Sequence, residues 1–160
     1  ALSARSVVLH AVNLFSQLDT AIVVYAPARD AAPFHETSVV SIEDRVDAEV
    51  KGYLFMIREI VARFARQGTG TLGLVIWDNE DESRSQVEAA ASGSFVSVAE
   101  AIITYYQDEP FHIRGFYATG DDPAEIATFV TDGLREPPRG RSRDRWFRYP
   151  ARTGLFGRRR

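Results

Sequence analysis

The sequence predicts an α/β domain: a parallel sheet with helices packed against it. Three observations carry this expectation. Short, uncharged, β-branched runs such as Ala21-Ile22-Val23-Val24-Tyr25 read as strands buried on both faces, the kind found in parallel sheets. Long stretches of helical periodicity separate these runs and give room for crossovers. The 160 residues are 45% hydrophobic and 26% charged, which suits one packed domain of ordinary size.

The elements follow in order. Over residues 3–17, Val7, Val8, Ala11, Val12, Leu14 and Phe15 sit at helical spacing. Residues 21–25 form the first strand, and 26–33, with two prolines, a loop. A long helix is expected over 42–66, with Ser41 and Asp44 as a capping arrangement. Val46, Val50, Tyr53, Ile57, Ile60 and Phe64 form its main apolar stripe, and Leu54, Phe55 and Val61 a second. Gly68 and Gly70 end it. Residues 71–77 make the second strand, followed by an acidic segment, Asp78-Asn79-Glu80-Asp81-Glu82. Residues 94–107 read as a helix apolar nearly all round, which implies burial on several sides. The third strand is placed at 111–117. Asp122-Pro123-Ala124-Glu125 starts a last helix, with a capping aspartate and proline at the first helical position. Gly133-Leu134 is its stop.

Several chemistries fall away. Without cysteine there are no disulfides, thiolate metal sites or cysteine nucleophile. His10, His35 and His112 lie far apart, with no pair at metal-ligand spacing, so no metal is expected. The acidic segment at 78–82 could hold a hard cation, but a solvated loop is the plainer reading. Charge breaks the apolar runs, so no membrane span is expected, and a cytoplasmic location is. The only methionine is Met56: either an initiator was removed or the sequence is part of a longer chain. The net charge of −3 hides an asymmetry. Residues 135–160 hold ten arginines against Glu136 and Asp144, a balance of +8, while residues 1–134 carry −11. This divides the chain into an α/β body, 1–134, and a basic arginine- and aromatic-rich arm, 135–160.

Within the body, six stretches in sequence order resemble the short-chain dehydrogenase/reductase (SDR) family. Leu18-Asp19 before the first strand resembles the family's leucine-aspartate lead-in. Pro33-Phe34-His35-Glu36 is similar to its proline-phenylalanine-x-glutamate approach to the long helix. Val50-Lys51-Gly52-Tyr53-Leu54-Phe55 resembles its asparagine-x-x-glycine-x-phenylalanine segment. Gly70 to Trp77 resembles the strand that delivers the catalytic serine, and Ile113-Arg114 the isoleucine-arginine-valine-asparagine strand. Asp122 to Val130 is similar to the helix near the family's C-terminus. The resemblance implies a partial Rossmann-like parallel sheet with flanking helices, truncated at its N-terminal side.

It also implies lost chemistry. The family's glycine-rich dinucleotide loop, where helix amides bind pyrophosphate, has no counterpart here, so no cofactor is expected. Its asparagine-asparagine-alanine-glycine run is Val24-Tyr25-Ala26-Pro27, and its helical asparagine falls on Glu49. Its serine falls on Asp78 or Asn79, and its tyrosine–lysine pair on Phe95 and Ala99. Phenylalanine has no proton to transfer and alanine no charge, so these are degenerate positions and no catalytic residue is assigned.

The family's long helices pair across a dimer axis. The resemblance therefore implies an interface through Val46, Val50, Tyr53, Ile57 and Phe64 on one helix and Val98, Ile102, Tyr105 and Tyr106 on the other; burial within one chain is the alternative. The expected function is a non-catalytic SDR-like subunit or interaction module, as a homo-oligomer or with a full-length SDR-like chain. Two alternatives stay open: an NAD(P)-dependent oxidoreductase fragment completed by another chain segment, and nucleic-acid binding through the arginine-rich arm, with Trp146, Phe147 and Tyr149 stacking on bases. The acidic body argues against nucleic acid.

Overall fold

A computed structural model describes residues 3–27, 33–78, 85–136 and 146–149. Its elements are α1 (Ala4–Phe15), β1 (Thr20–Tyr25), a 3-10 turn (Phe34–Glu36), α2 (Val39–Arg45), a π-helical segment (Val46–Lys51), α3 (Gly52–Gln67), β2 (Thr71–Trp77), α4 (Gln86–Tyr105), β3 (His112–Ala118), α5 (Pro123–Arg135) and β4 (Trp146–Tyr149). The four strands form one parallel sheet in the order β1-β2-β3-β4. This is the Rossmann-like α/β arrangement expected.

Alternation along the strands sorts the side chains between two layers. On one face Val23 and Tyr25 of β1, Leu72, Leu74 and Ile76 of β2, and Ile113 of β3 meet Tyr53, Ile57, Ile60, Val61 and Phe64 of α3 and Phe95, Ala99 and Ile103 of α4. Full burial of one large apolar side chain contributes about 1.5–3 kcal/mol, so this layer dominates the stability. On the other face Val75, Phe116 and Ala118 meet Ile126 and Val130 of α5. That layer is smaller. α5 packs on β2, β3 and β4, and Ile22 and Val24 of β1 stay exposed at 42% and 54%.

The structure moves four sequence expectations. The long helix begins earlier: Ser38, not Ser41, is the N-cap, and its side chain accepts from the Ser41 amide. α4 begins at Gln86 rather than 94, because Ser85 and Glu88 form a complete capping box. By length and composition α4 could cross a membrane, contrary to the sequence expectation. Its packing is that of a core helix, with Phe95, Ala99 and Ile103 buried at 0–2% exposure.

The last difference lies in the arm. Trp146–Tyr149 is a fourth strand paired with β3. Gly115 makes the pairing possible, because a Cβ there would lie 2.5 Å from the Trp146 ring. Phe147 stacks on Phe116 with centroids 5.1 Å apart. The Arg148 guanidinium lies 4.9 Å over the Tyr117 ring, and the Tyr149 hydroxyl donates to Glu125. Arg114, buried beneath, donates to the carbonyls of Gly133 and Glu136 at the end of α5. A cation placed there also complements the helix dipole.

Candidate functional site

In open parallel sheets, ligands bind beyond the carboxyl ends of the strands. Here that region is built from Tyr25 at the end of β1, Asp78 after β2, the π-helical segment, and the first half of α4. Phe95 and Ala99, which the sequence resemblance aligns with the family's tyrosine and lysine, lie on α4.

Its centre is filled. The Phe95 ring stacks on Tyr25 at 5.3 Å and 20° and meets Tyr53 edge-on at 5.0 Å and 87°. Tyr25 meets Tyr53 at 5.8 Å, again edge-on. Phe95 and Ala99 are both fully buried. Both side chains serve as packing atoms in the core.

Polar groups ring this aromatic cluster, each held by another. The Tyr25 hydroxyl donates to Glu49 at 3.2 Å, and the Tyr53 hydroxyl bonds Ser94 Oγ at 2.8 Å. Arg45 lies 3.7 Å from Glu49 and 3.5 Å from Glu88. Glu88, fully buried, accepts from the Ser85 amide at 2.8 Å. Burial raises the Tyr25 pKa, and the Glu49 carboxylate adds to it against the lowering effect of the nearby Ser92 hydroxyl. Tyr25 therefore keeps its proton at neutral pH and makes a poor general base.

Asp78 is 1% exposed, and its amide donates to the Ala118 carbonyl at 2.9 Å, tying the end of β2 to β3. Asn79 and the rest of the acidic segment lie outside the described residues. Among the described residues, no group of three His, Asp or Glu side chains is placed to hold a metal.

The residues expected at a helix-pair interface divide. Tyr53, Ile57 and Phe64 are at most 7% exposed and belong to the chain's own core, so they cannot form a docking face. Val50, Val98, Ile102 and Tyr106 are half-buried and pack against that core. Val46 and Tyr105 are exposed, at 38% and 80%. The outward apolar side chains of this layer are instead Val39, Val40, Leu54 and Phe55. The arm's aromatics also have another use: Trp146, Phe147 and Tyr149 pack on the sheet, which takes them from base stacking.

The Arg45–Glu88 pair and the aromatic cluster were not legible in the sequence because they join positions 28 to 70 residues apart. The Ser85-x-x-Glu88 capping box was a readable signal.

Comparison with known proteins agrees with this geometry. No family model matches the sequence, and no curated protein matches it. Solved structures do match. A Burkholderia xenovorans protein described as a short-chain dehydrogenase/reductase has TM-score 0.60 and 13% identity, over 88% of this chain and 60% of that one. The 3-ketoacyl-(acyl-carrier-protein) reductase of Brucella melitensis, complexed with NADH, has TM-score 0.63 and 14% identity, over 72% and 50%. The acetoin dehydrogenase of Enterobacter cloacae has TM-score 0.62 and 14% identity, over 84% and 56%. The fold is thus that of an SDR-like fragment. The chain spans about half to three fifths of the length of the structures it matches.

Proposed function

We propose that the chain is a non-catalytic, SDR-like subunit that works by association with another polypeptide, a second copy or a longer SDR-like chain, in the cytoplasm. One observation carries the reading: Phe95 and Ala99, which the sequence resemblance aligns with the family's acid and cation, are fully buried and locked into the core. A tyrosine hydroxyl or lysine ammonium introduced there would have to be accommodated by a packed interior. Exposed apolar side chains at Val39, Val40, Leu54 and Phe55 supply a surface on the helical layer for a partner.

A second reading rests on a different observation. The outer edge of β1 has no strand beside it among the described residues, and the matching structures are about one and a half times as long. The chain would then be half of an oxidoreductase completed by another segment. Titration with NADH separates the two. The first reading expects no saturable change in NADH fluorescence, alone or after any partner that co-purifies is restored. Saturable binding that appears with the partner, together with hydride transfer that depends on this chain, would replace the first reading with the second.

A further inference from the structure

Beside β1 the helical layer continues where the sheet stops. α3 packs on β1, and α1 packs chiefly on α3, while no strand stands outside β1 among the described residues. α1 leaves Val7, Leu14 and Phe15 exposed. On the opposite face α5 packs on β2, β3 and β4, and Ile22 and Val24 stay exposed. Main-chain chemistry says what fits this edge. The Asp19 carbonyl accepts from the Thr71 amide. The main-chain groups of Ala21, Val23 and Tyr25 therefore face β2, and those of Thr20, Ile22 and Val24 face outward. An outward row of amides and carbonyls is a template for one more strand.

A second copy is a poor mate. Antiparallel pairing about a two-fold axis normal to the sheet would set the two β1 strands about 4.8 Å apart. Each α3 stands over its own β1, so the two helices would be forced to a similar distance, where packed helices need about 8–10 Å. Parallel pairing sets residues with outward groups opposite residues whose groups face away. No two-fold axis between identical strands supplies that offset. The added strand also lies between the apolar side chains of α1 and the side of Ile22 and Val24, where a charge would be desolvated. We propose that the β1 edge docks one uncharged, β-branched strand from a polypeptide of different sequence, beside Thr20–Tyr25 and beneath α1. This rests on the association reading above and names the contact.

The probe is a short fluorescent peptide of alternating valine and threonine with a lysine at each end. The intact chain is expected to bind it saturably, one per chain, in fluorescence anisotropy. The same peptide N-methylated at its interior residues is expected not to bind. Ile22→Pro removes an outward amide that β2 does not use, and is expected to weaken binding at least tenfold. Val24→Lys, at an exposed position, serves if Ile22→Pro loses its circular dichroism. Ala127→Lys, exposed on α5, is expected to bind as the parent does. Four results overturn the proposal: no saturable binding, equal binding of the methylated peptide, undiminished binding in a folded β1 variant, or loss of binding in Ala127→Lys. Light scattering on the same samples separates the proposal from the reading beneath it. A mass above one chain without peptide binding strikes the β1 contact alone. A homodimer that the β1 variants dissolve shows that a second copy takes the edge, and overturns the proposal.

Discussion

Among the described residues the sheet has two edges, β1 and β4, and they are finished very differently. β4 is four residues long, carries a charge at Arg148, and is fastened by four aromatic or cation–π contacts. Short, charged, covered edges are how sheets avoid adding further strands. β1 is six residues, Thr-Ala-Ile-Val-Val-Tyr, without a charge. One of its faces is packed by Val23 and Tyr25; the other leaves Ile22 and Val24 exposed. Nearby α1 exposes Leu14 and Phe15, at 64% and 71%. The contrast teaches that one edge is short, charged and fastened while the other is longer, uncharged and half exposed; the proposed association would cover the second.

Four variants break or sharpen that contrast, in falling order of effect. Gly115→Val should be the most damaging, because its Cβ would lie 2.5 Å from the Trp146 ring in a buried strand. It should detach β4 and cost about 3 kcal/mol, the upper end for overpacking, read by denaturant unfolding and by Trp146 fluorescence. Arg114→Met keeps the side-chain volume but leaves the Gly133 and Glu136 carbonyls without their donor. About 2 kcal/mol should be lost, as for a buried polar group left unsatisfied.

Tyr25→Phe, at the β1 side, should matter chiefly at alkaline pH. Burial raises the Tyr25 pKa in the fold, with Glu49 adding to it against Ser92, above the value of about 10 it has when unfolded. A raised pKa means that the folded state holds the proton more tightly. The stabilisation is fully present below the unfolded value and is lost as pH rises beyond it. The melting temperature of the parent should therefore fall more steeply above that pH than that of Tyr25→Phe. Smallest in stability is the double variant Ile22→Thr with Val24→Thr. Both positions are exposed, so unfolding should shift by no more than about 0.5 kcal/mol. If β1 is the side that is continued, binding of the added strand should nevertheless weaken.

Much of the sheet could be read from the sequence because its strands are buried, uncharged runs. Residues 71–77 match β2, and 21–25 and 111–117 match β1 and β3 within one residue. β4 was hidden: Trp146–Tyr149 is short, interrupted by Arg148, and set among arginines, so composition suggested an arm. The start of α4 was hidden by small residues, since Ala89-Ala90-Ala91-Ser92-Gly93-Ser94 makes no apolar stripe. At the candidate site, the identities of Phe95 and Ala99 carried the expectation that the family's acid and cation are missing. That the space is filled by a three-ring cluster, and that Arg45 is divided between Glu49 and Glu88, depends on contacts between distant positions. The stripe through Tyr53, Ile57 and Phe64 shows the opposite difficulty: an apolar periodicity marks a buried face without saying whether sheet or partner buries it.

The most direct test of the central claim, that the chain works by assembly, is its mass in solution by light scattering at tens of micromolar. The expected result is a species heavier than one chain, whose mass falls on dilution or when Phe55 and Leu54 are replaced by polar residues. A strictly single-chain mass, unchanged when candidate partner chains are added, would contradict the account.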